Sequence, residues 1–537
     1  MPRDLAALSE TTFDVLVIGG GVVGACAAWD ATLRGLRVAL VERGDFACGA
    51  SWNSLKTLHG GLRSLQHLDF AGMRAYGGDR SAWARIAPHL VDLLPVVMPT
   101  SGFAARSRAV LRTALAVNDL VGFDRNRGLS PELRFPAGRA LSRDECVAHV
   151  PEFADTRMTG GVLWYDAQMY SAERLVLEMI LGARDAGAVV ANYVEATGPL
   201  ICQRRIAGAI CCDTLGGDRV EIRAHTIVNA AGSASTMLAE RFLGGPARAR
   251  TRYTAALNVM LPSLGHRAAF ALPSRLDDHV HEGETSNSGN LFIVPWRGRT
   301  VIGTGYFPYD GDPSVFALRE SDVERFLDDV NRAWPVAPIA RDAIVLVHGG
   351  LLPLAAGARD GEPARALERR QGIVDHASHG APEMLSAVSV RFTTARGLAE
   401  RLVDLVERKL GRRGARCRTA TTPVPGAPSV PVPDLLADAR RRHGAVVDAD
   451  VLEHLVRSYG ARYERVLAYR DRLPGWNERI VPECPVIRAQ LVYGVHEEMA
   501  QRPEDLLQRR TEIGPRGAES SAARREAERA FASQSLG

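Results

Sequence analysis

Phe13-Asp14-Val15-Leu16-Val17-Ile18-Gly19-Gly20-Gly21-Val22-Val23-Gly24, continued through Ala25 to Gly35 and then Leu36-Arg37-Val38-Ala39-Leu40-Val41-Glu42, decides the fold. Phe13 to Ile18 is an apolar run of strand length, of the kind buried on both faces of a parallel sheet. Gly19 to Gly24 makes a tight turn, and Ala25 to Arg34 has the small and apolar residues of a closely packed helix, stopped by Gly35. Leu36 to Glu42 reads as a second strand, so the unit is βαβ with a right-handed crossover. Each glycine of the G-x-G-x-x-G pattern has a task. Gly19 permits the sharp turn, Gly21 lets a pyrophosphate approach the backbone, and Gly24 allows close helix–strand packing. The helix N-terminus offers free N–H groups to the phosphates. Glu42, 18 positions after Gly24, places a carboxylate where a ribose hydroxyl can donate to it. This reading demands an adenine dinucleotide but does not choose between NAD and FAD.

The rest of the composition narrows the class. The chain has 537 residues, 46% hydrophobic and 24% charged, enough for several structural units around large cores. Its net charge of +4 gives no electrostatic reason to expect nucleic acid. Only two lysines occur, Lys56 and Lys409, among 66 basic residues. The eight cysteines include no Cys-x-x-Cys pair, which argues against zinc and a disulfide framework and fits a reducing cytoplasm. Met1 to Thr12 lacks a signal-peptide core, and no apolar run reaches the ~18 residues of a membrane span. The expected location is cytoplasmic, with peripheral attachment to the inner face of the cell membrane as the furthest alternative.

A second constellation is Ala47-Cys48-Gly49-Ala50-Ser51-Trp52-Asn53-Ser54-Leu55-Lys56-Thr57-Leu58-His59-Gly60-Gly61-Leu62-Arg63. Its hydroxyl and amide side chains suit phosphate or ring edges, and Gly60-Gly61 lets backbone lie against a planar ring. His59 and Arg63 bring a titratable group near an anion clamp. With the glycine motif before it, "ACGAS…SLKTLHGGLR" resembles the FAD-dependent glycerol-3-phosphate dehydrogenases, within the wider D-amino-acid-oxidase-like flavoproteins. The similarity continues through Tyr165-Asp166-Ala167, Val228 to Gly232, Pro295-Trp296, Val301 to Thr304, Phe392 to Arg396, Arg457 to Gly460 and Arg509 to Gly514.

The resemblance implies FAD and an α/β architecture: a discontinuous Rossmann-like FAD-binding domain, an inserted, mainly antiparallel substrate domain and a C-terminal helical cap. It divides the chain into an oxidoreductase domain over 12–417, with FAD-binding parts at about 12–80, 155–250 and 345–417 and substrate parts at about 81–154 and 251–344. A Pro-rich extended linker over 418–434, a helical domain over 435–515 and a disordered tail over 516–537 complete the expectation. Cofactor contacts are implied at Gly19, Gly21, Gly24, Glu42, Ser51, Ser54, Lys56, His59, Gly60, Gly61, Val194, Ala231, Gly232, Thr393 and Thr394. His59, as a base, and Arg63 and Arg391, as phosphate anchors, form the implied catalytic set.

The implied reaction oxidises sn-glycerol 3-phosphate to dihydroxyacetone phosphate by hydride transfer to flavin N5, with electrons passing to a quinone or another acceptor. Two alternatives stay open at this level: the same chemistry on another polyol phosphate, hydroxy acid or amine, and a flavin-binding partner protein without turnover. A homodimer is compatible with the resemblance, and no metal is implied. Departures fall in the substrate region. Ser389-Val390-Arg391-Phe392 replaces Gly-Gly-Lys-Leu, Leu352 stands where the family writes arginine, and Gly303-Thr304-Gly305-Tyr306 replaces Gly-Thr-Thr-Asp. Arg106 to Phe123 is an amphipathic stretch with Val110, Ala114, Val117 and Val121 on one face, expected to turn that face to the core. Contact with a membrane surface, as in respiratory members of the family it resembles, is the alternative. His348, ahead of Gly349-Gly350, is either structural or directed at the substrate cavity.

Overall fold

In the computed structural model, which describes residues 3–100, 107–156, 158–245, 252–273, 290–334, 336–354, 372–412, 414–469 and 475–532, the Thr12–Ile18 strand lies at the centre of an eight-stranded sheet. Its neighbours are parallel: Val38–Val41 on one side, then Val189–Ala191, and Arg219–Asn229 on the other, then Met384–Val388. Ile18 is level with both Val41 and Asn229, so Gly19, Glu42 and Ala230 leave the sheet together. That shared carboxyl edge is where ligands bind in open parallel sheets. The Val22–Leu33 helix is buried nearly all round because its alanines admit close neighbours, the Ala172–Asp185 and Ala395–Lys409 helices.

A second sheet of nine strands follows the order Leu346–Pro353, Tyr253–Pro262, Arg299–Tyr309, Asn290–Trp296, Ala269–Pro273, Val91–Thr100, Gly160–Met169, Thr57–Leu58. Arg139–Leu141 pairs beside Gly160–Met169, and the one parallel contact joins Ala269–Pro273 to Val91–Thr100. One face packs on the Glu320–Ala333 helix through Val323, Phe326 and Val330. The architecture is thus the implied α/β arrangement with a mainly antiparallel second sheet and a helical C-terminal region. The expected partition differs in detail. Gly160–Met169 and Leu346–Pro353, placed by sequence in the FAD-binding parts, belong to the second sheet, because strand partners are chosen by tertiary pairing that a single strand does not reveal.

Three further expectations are corrected. The 418–434 segment is not a free linker: Val424 is buried, its N–H donates to Ile86 O, and Gly426 N donates to the Glu178 carboxylate. Ser521–Ala532 is a helix rather than a disordered tail, with Ala523, Ala527 and Ala530 on the face buried in the cap core. Residues 533–537 lie outside the described ones. The Arg108–Val121 helix buries Leu115 and packs Leu111 inward, while Val110 and Leu120 face outward, a rotation of one position from the expected stripe. Among the described residues, no helix is long and apolar enough to cross a membrane.

The C-terminal helices, among them Val432–His443, Ala449–Tyr459 and Arg488–Glu497, have their own apolar core and dock through charge. Asp45, fully buried after the second strand of the βαβ unit, receives Arg509 at 2.5 Å and Arg510 at 2.8 Å. Arg174 pairs with Glu498 nearby. Burial opposes ionisation of Asp45, but the charges of Arg510 and Arg509 win and hold its carboxyl below the usual range. Removing one member of such a pair leaves the other charge buried and unmatched, so Asp45→Asn should cost about 3–5 kcal/mol, read as a lower melting temperature and faster proteolysis of the cap. Because the folded value is depressed, the stabilisation is present above the unfolded carboxyl pKa of about 3.9 and lost as pH falls through the folded value. Acid titration of wild type should therefore lose a stability component that Asp45→Asn lacks.

Candidate active site

At the carboxyl edge of the parallel sheet the glycine turn fits the role read from its spacing. Gly19 has φ +116°, and a Cβ there would stand 2.5 Å from Ala230 O. A Cβ on Gly24 would lie 1.9 Å from Gly19 O, so only glycine lets the helix approach the strand this closely. Ser51 Oγ accepts from Val22 N at 2.9 Å, bringing the second constellation to the helix N-terminus beside Gly21. Glu42 accepts from Gly20 N at 2.7 Å and Gly44 N at 2.9 Å, which fixes its carboxylate at the strand end. Val194 N donates to Glu42 O at 2.8 Å, and Ala231 N donates to Asn229 Oδ1 at 3.2 Å. Gly232 has φ +59° with nothing within 4 Å of where its Cβ would be. These residues form an open, backbone-lined cradle at one sheet edge, as a dinucleotide requires.

The His59-Gly60-Gly61 segment bridges the two sheets. His59 N donates to Thr393 Oγ1 at 3.0 Å, tying the segment to the start of the Ala395–Lys409 helix. Asp166, from the Gly160–Met169 strand, accepts from Gly60 N at 2.7 Å and lies 3.2 Å from His59 Nδ1. Arg80 NH1 approaches its other side at 3.5 Å and donates to Tyr165 O at 2.6 Å. Burial works against the Asp166 charge, yet the His59 hydrogen bond, the His59 and Arg80 charges and the Gly60 amide hold its carboxyl below the ordinary range. An ionised carboxylate only accepts, so His59 directs an Nδ1–H at Asp166 and turns Nε2 away from it. The His59 side chain is 46% exposed, which leaves that nitrogen accessible. Phe292, at 6.4 Å between ring centroids, flanks it.

The remaining candidates divide. Thr393 and Thr394 are buried, and Thr394 Oγ1 has no partner among the described residues, an orphan hydroxyl at a helix start. Asp79 caps the same helix through Gly397 N at 3.2 Å and pairs with Arg396, so part of that N-terminus is already matched by protein. Arg391 stacks its guanidinium 5.3 Å from the Tyr76 ring centroid and makes no ion pair among the described residues. Arg63 lies in the Leu62–His67 turn, and its side chain is outside the described residues.

Ser54 Oγ accepts from Lys56 N at 3.2 Å. Lys56, implied as a cofactor contact, turns its ammonium inward. Its Nζ donates to Trp52 O at 2.5 Å, pairs with Glu173 at 3.5 Å, and sits 5.3 Å from the Trp296 ring centroid, so its side chain braces the loop from inside. His348 is likewise internal. It packs edge-on to Trp52 and stands opposite Asn258, three strands from Phe292, or ~14 Å at normal strand spacing. Sequence reasoning gave no role to Asp166, Tyr76 or Phe292, although Asp166 in an otherwise apolar strand was a signal to follow.

Comparison with known proteins places the chain in a family. Residues 14–396 match the family described as FAD dependent oxidoreductase, and residues 417–533 match the C-terminal domain of alpha-glycerophosphate oxidase. A Synechocystis protein named glycerol-3-phosphate dehydrogenase is 30% identical over 528 residues, 95% of this chain and 90% of its own. Glycerol-3-phosphate dehydrogenase 1 of Mycobacterium bovis is 29% identical over 95% of this chain and 93% of its own. The fold matches the crystal structure of the glycerol-3-phosphate dehydrogenase from Bacillus halodurans complexed with FAD, with a TM-score of 0.72 and 22% identity, covering 99% of this chain and 96% of that one.

A side chain at Gly21 would meet Ser51 Oγ at 3.1 Å and cover the helix N–H groups. Gly21→Val should therefore yield a folded but colourless protein, with flavin absorbance per mole falling to a small fraction of wild type. Retention of a full flavin complement would place the dinucleotide elsewhere.

Proposed function

Because the chain belongs to the FAD-dependent oxidoreductases, we propose that it acts as a glycerol-3-phosphate dehydrogenase, oxidising the secondary alcohol of sn-glycerol 3-phosphate to the ketone of dihydroxyacetone phosphate. The observation that carries this reading is the His59–Asp166 pair, formed between adjacent segments of the second sheet beside the dinucleotide cradle. The cradle suits FAD: Gly19, Gly21 and Gly24 with the Val22–Leu33 N-terminus for the pyrophosphate, Glu42 for the ribose, and the orphan Thr394 hydroxyl for the flavin end. Bound FAD supplies the two-electron acceptor for the hydride that leaves the carbinol carbon.

The protein's own residues handle the proton and the phosphate. His59 Nε2 takes the hydroxyl proton while Asp166 stabilises the imidazolium through Nδ1–H, and Gly60 and Arg80 hold Asp166 still. Arg391, without a carboxylate partner among the described residues, is the anchor for the substrate phosphate, with Arg63 as the second cation from the resemblance. The electrons leave afterwards to a quinone or another acceptor. A protein kept only to bind flavin would have no use for a paired imidazole and carboxylate.

Anaerobic mixing of the flavin-loaded protein with glycerol 3-phosphate should bleach the flavin. His59→Gln should slow that bleaching by about 10²–10⁴-fold with flavin content unchanged, and Asp166→Asn should also slow it. Arg391→Ala should instead raise KM by about ten- to hundredfold, the worth of one charged contact of ~1.5–3 kcal/mol. Failure of glycerol 3-phosphate to reduce the wild-type flavin would overturn the substrate assignment.

A further inference from the structure

Behind the His59 segment, between the Phe70–Ile86 and Arg108–Val121 helices, lies a cavity of about 210 Å³, several times the ~30 Å³ share of one liquid water. Its wall carries Arg74, Arg80, Arg85, Arg125 and Arg127 against a single lining carboxylate, Asp124. That carboxylate is taken by Arg74 in a two-pronged pair at 2.6 Å, and Arg125 is matched by Asp119 at 3.0 Å.

The other three guanidiniums are poorly matched. Arg85 is held by carbonyl oxygens alone, Arg127 O at 2.6 Å and Ala420 O at 2.9 Å. Arg80 is 4% exposed, shares Asp166 with His59, and its Nε has no partner. Arg127 is exposed at the mouth and makes no ion pair among the described residues. Burial pushes the Arg80 guanidinium down to about 10 and lowers Arg85 as well, as expected where cations gather without enough anions. A buried N–H without an acceptor, in a cavity of excess positive charge, calls for an anion supplied from outside.

We propose that this cavity binds a phosphate group, held by Arg80, Arg85 and Arg127, at a second site separate from the substrate anchor Arg391. Planar guanidiniums suit a tetrahedral dianion, whose oxygens accept several N–H bonds at once. The phosphate has two sources of the same chemistry. One is a free phosphate or phosphate ester; the other is a lipid headgroup, because Leu120 and Phe123 are 75% and 78% exposed beside the mouth. The proposal does not depend on which alcohol the enzyme oxidises.

Calorimetric titration of the flavin-loaded protein with inorganic phosphate tests the first source. Phosphate binding should persist in Arg391→Ala, where the substrate anchor is gone, and weaken about tenfold or more in Arg127→Gln and in Arg85→Gln. Arg112→Gln, on the exposed side of the neighbouring helix, should leave it unchanged. Co-sedimentation with phosphatidylglycerol vesicles, against phosphatidylcholine vesicles, tests the second source: binding lost in the same two variants identifies the lipid phosphate. Arg127 is exposed, so Arg127→Gln should keep its fold and flavin even if Arg85→Gln does not. The proposal is overturned if neither probe separates wild type from Arg127→Gln, or if Arg112→Gln weakens binding as much.

Discussion

Asp166 is a carboxylate buried where the two sheets meet, and a buried negative charge has to be surrounded by donors or it will take up a proton. Here the donors come from three places: Gly60 N, the His59 ring and Arg80. Satisfying that one charge fixes the His59 tautomer, the path of the Gly60-Gly61 backbone and the angle of the Phe70–Ile86 helix. A Cβ on Gly60 would come 2.3 Å from Arg80 NH1, so a larger residue there would push the guanidinium away from Asp166. His59 N then grips Thr393, which links the second sheet's Asp166 to the helix that ends the FAD-binding part. Dinucleotide cradle and His59 ring are thus set in register by a single ionised group.

The same logic extends outward to the cap. Lys56, fully buried, is balanced by Glu173, while Arg297 pairs with Glu512 and lies over Tyr170. His454 of the cap accepts or shares hydrogen bonds with Tyr170, Arg297 and Gln490, and burial followed by the Arg297 charge keeps its ring neutral. Buried ions of this kind add little net stability over apolar packing, but they penalise any arrangement that separates the partners. The helical cap is therefore held in one orientation by charges on both sides of the junction, the fully buried Asp45 among them.

How legible this was depended on whether a feature was local. The glycine turn, the helix that follows it and stops before Gly35, and the Glu42 position all rest on short-range sterics, and each is where the spacing put it. Lys56 is less legible because a lysine in such a loop reads the same in sequence whether its ammonium faces a ligand or the interior. The tail misled because Ala523, Ala527 and Ala530 are too small to announce a buried face, yet small residues are what a tight helix contact needs.

The sequence by itself determined the dinucleotide turn, the flavoprotein resemblance and the presence of His59 beside a Gly-Gly pair, since these depend on neighbours within a few residues. Only the tertiary structure decided that Asp166, 107 positions away, is the partner of His59, that Thr393 joins them, and that five arginines from one helix and a loop share one cavity. Those pairings require a charge to be desolvated by one segment and matched by another. That condition exists only once both sheets are packed, and no spacing along the chain encodes it.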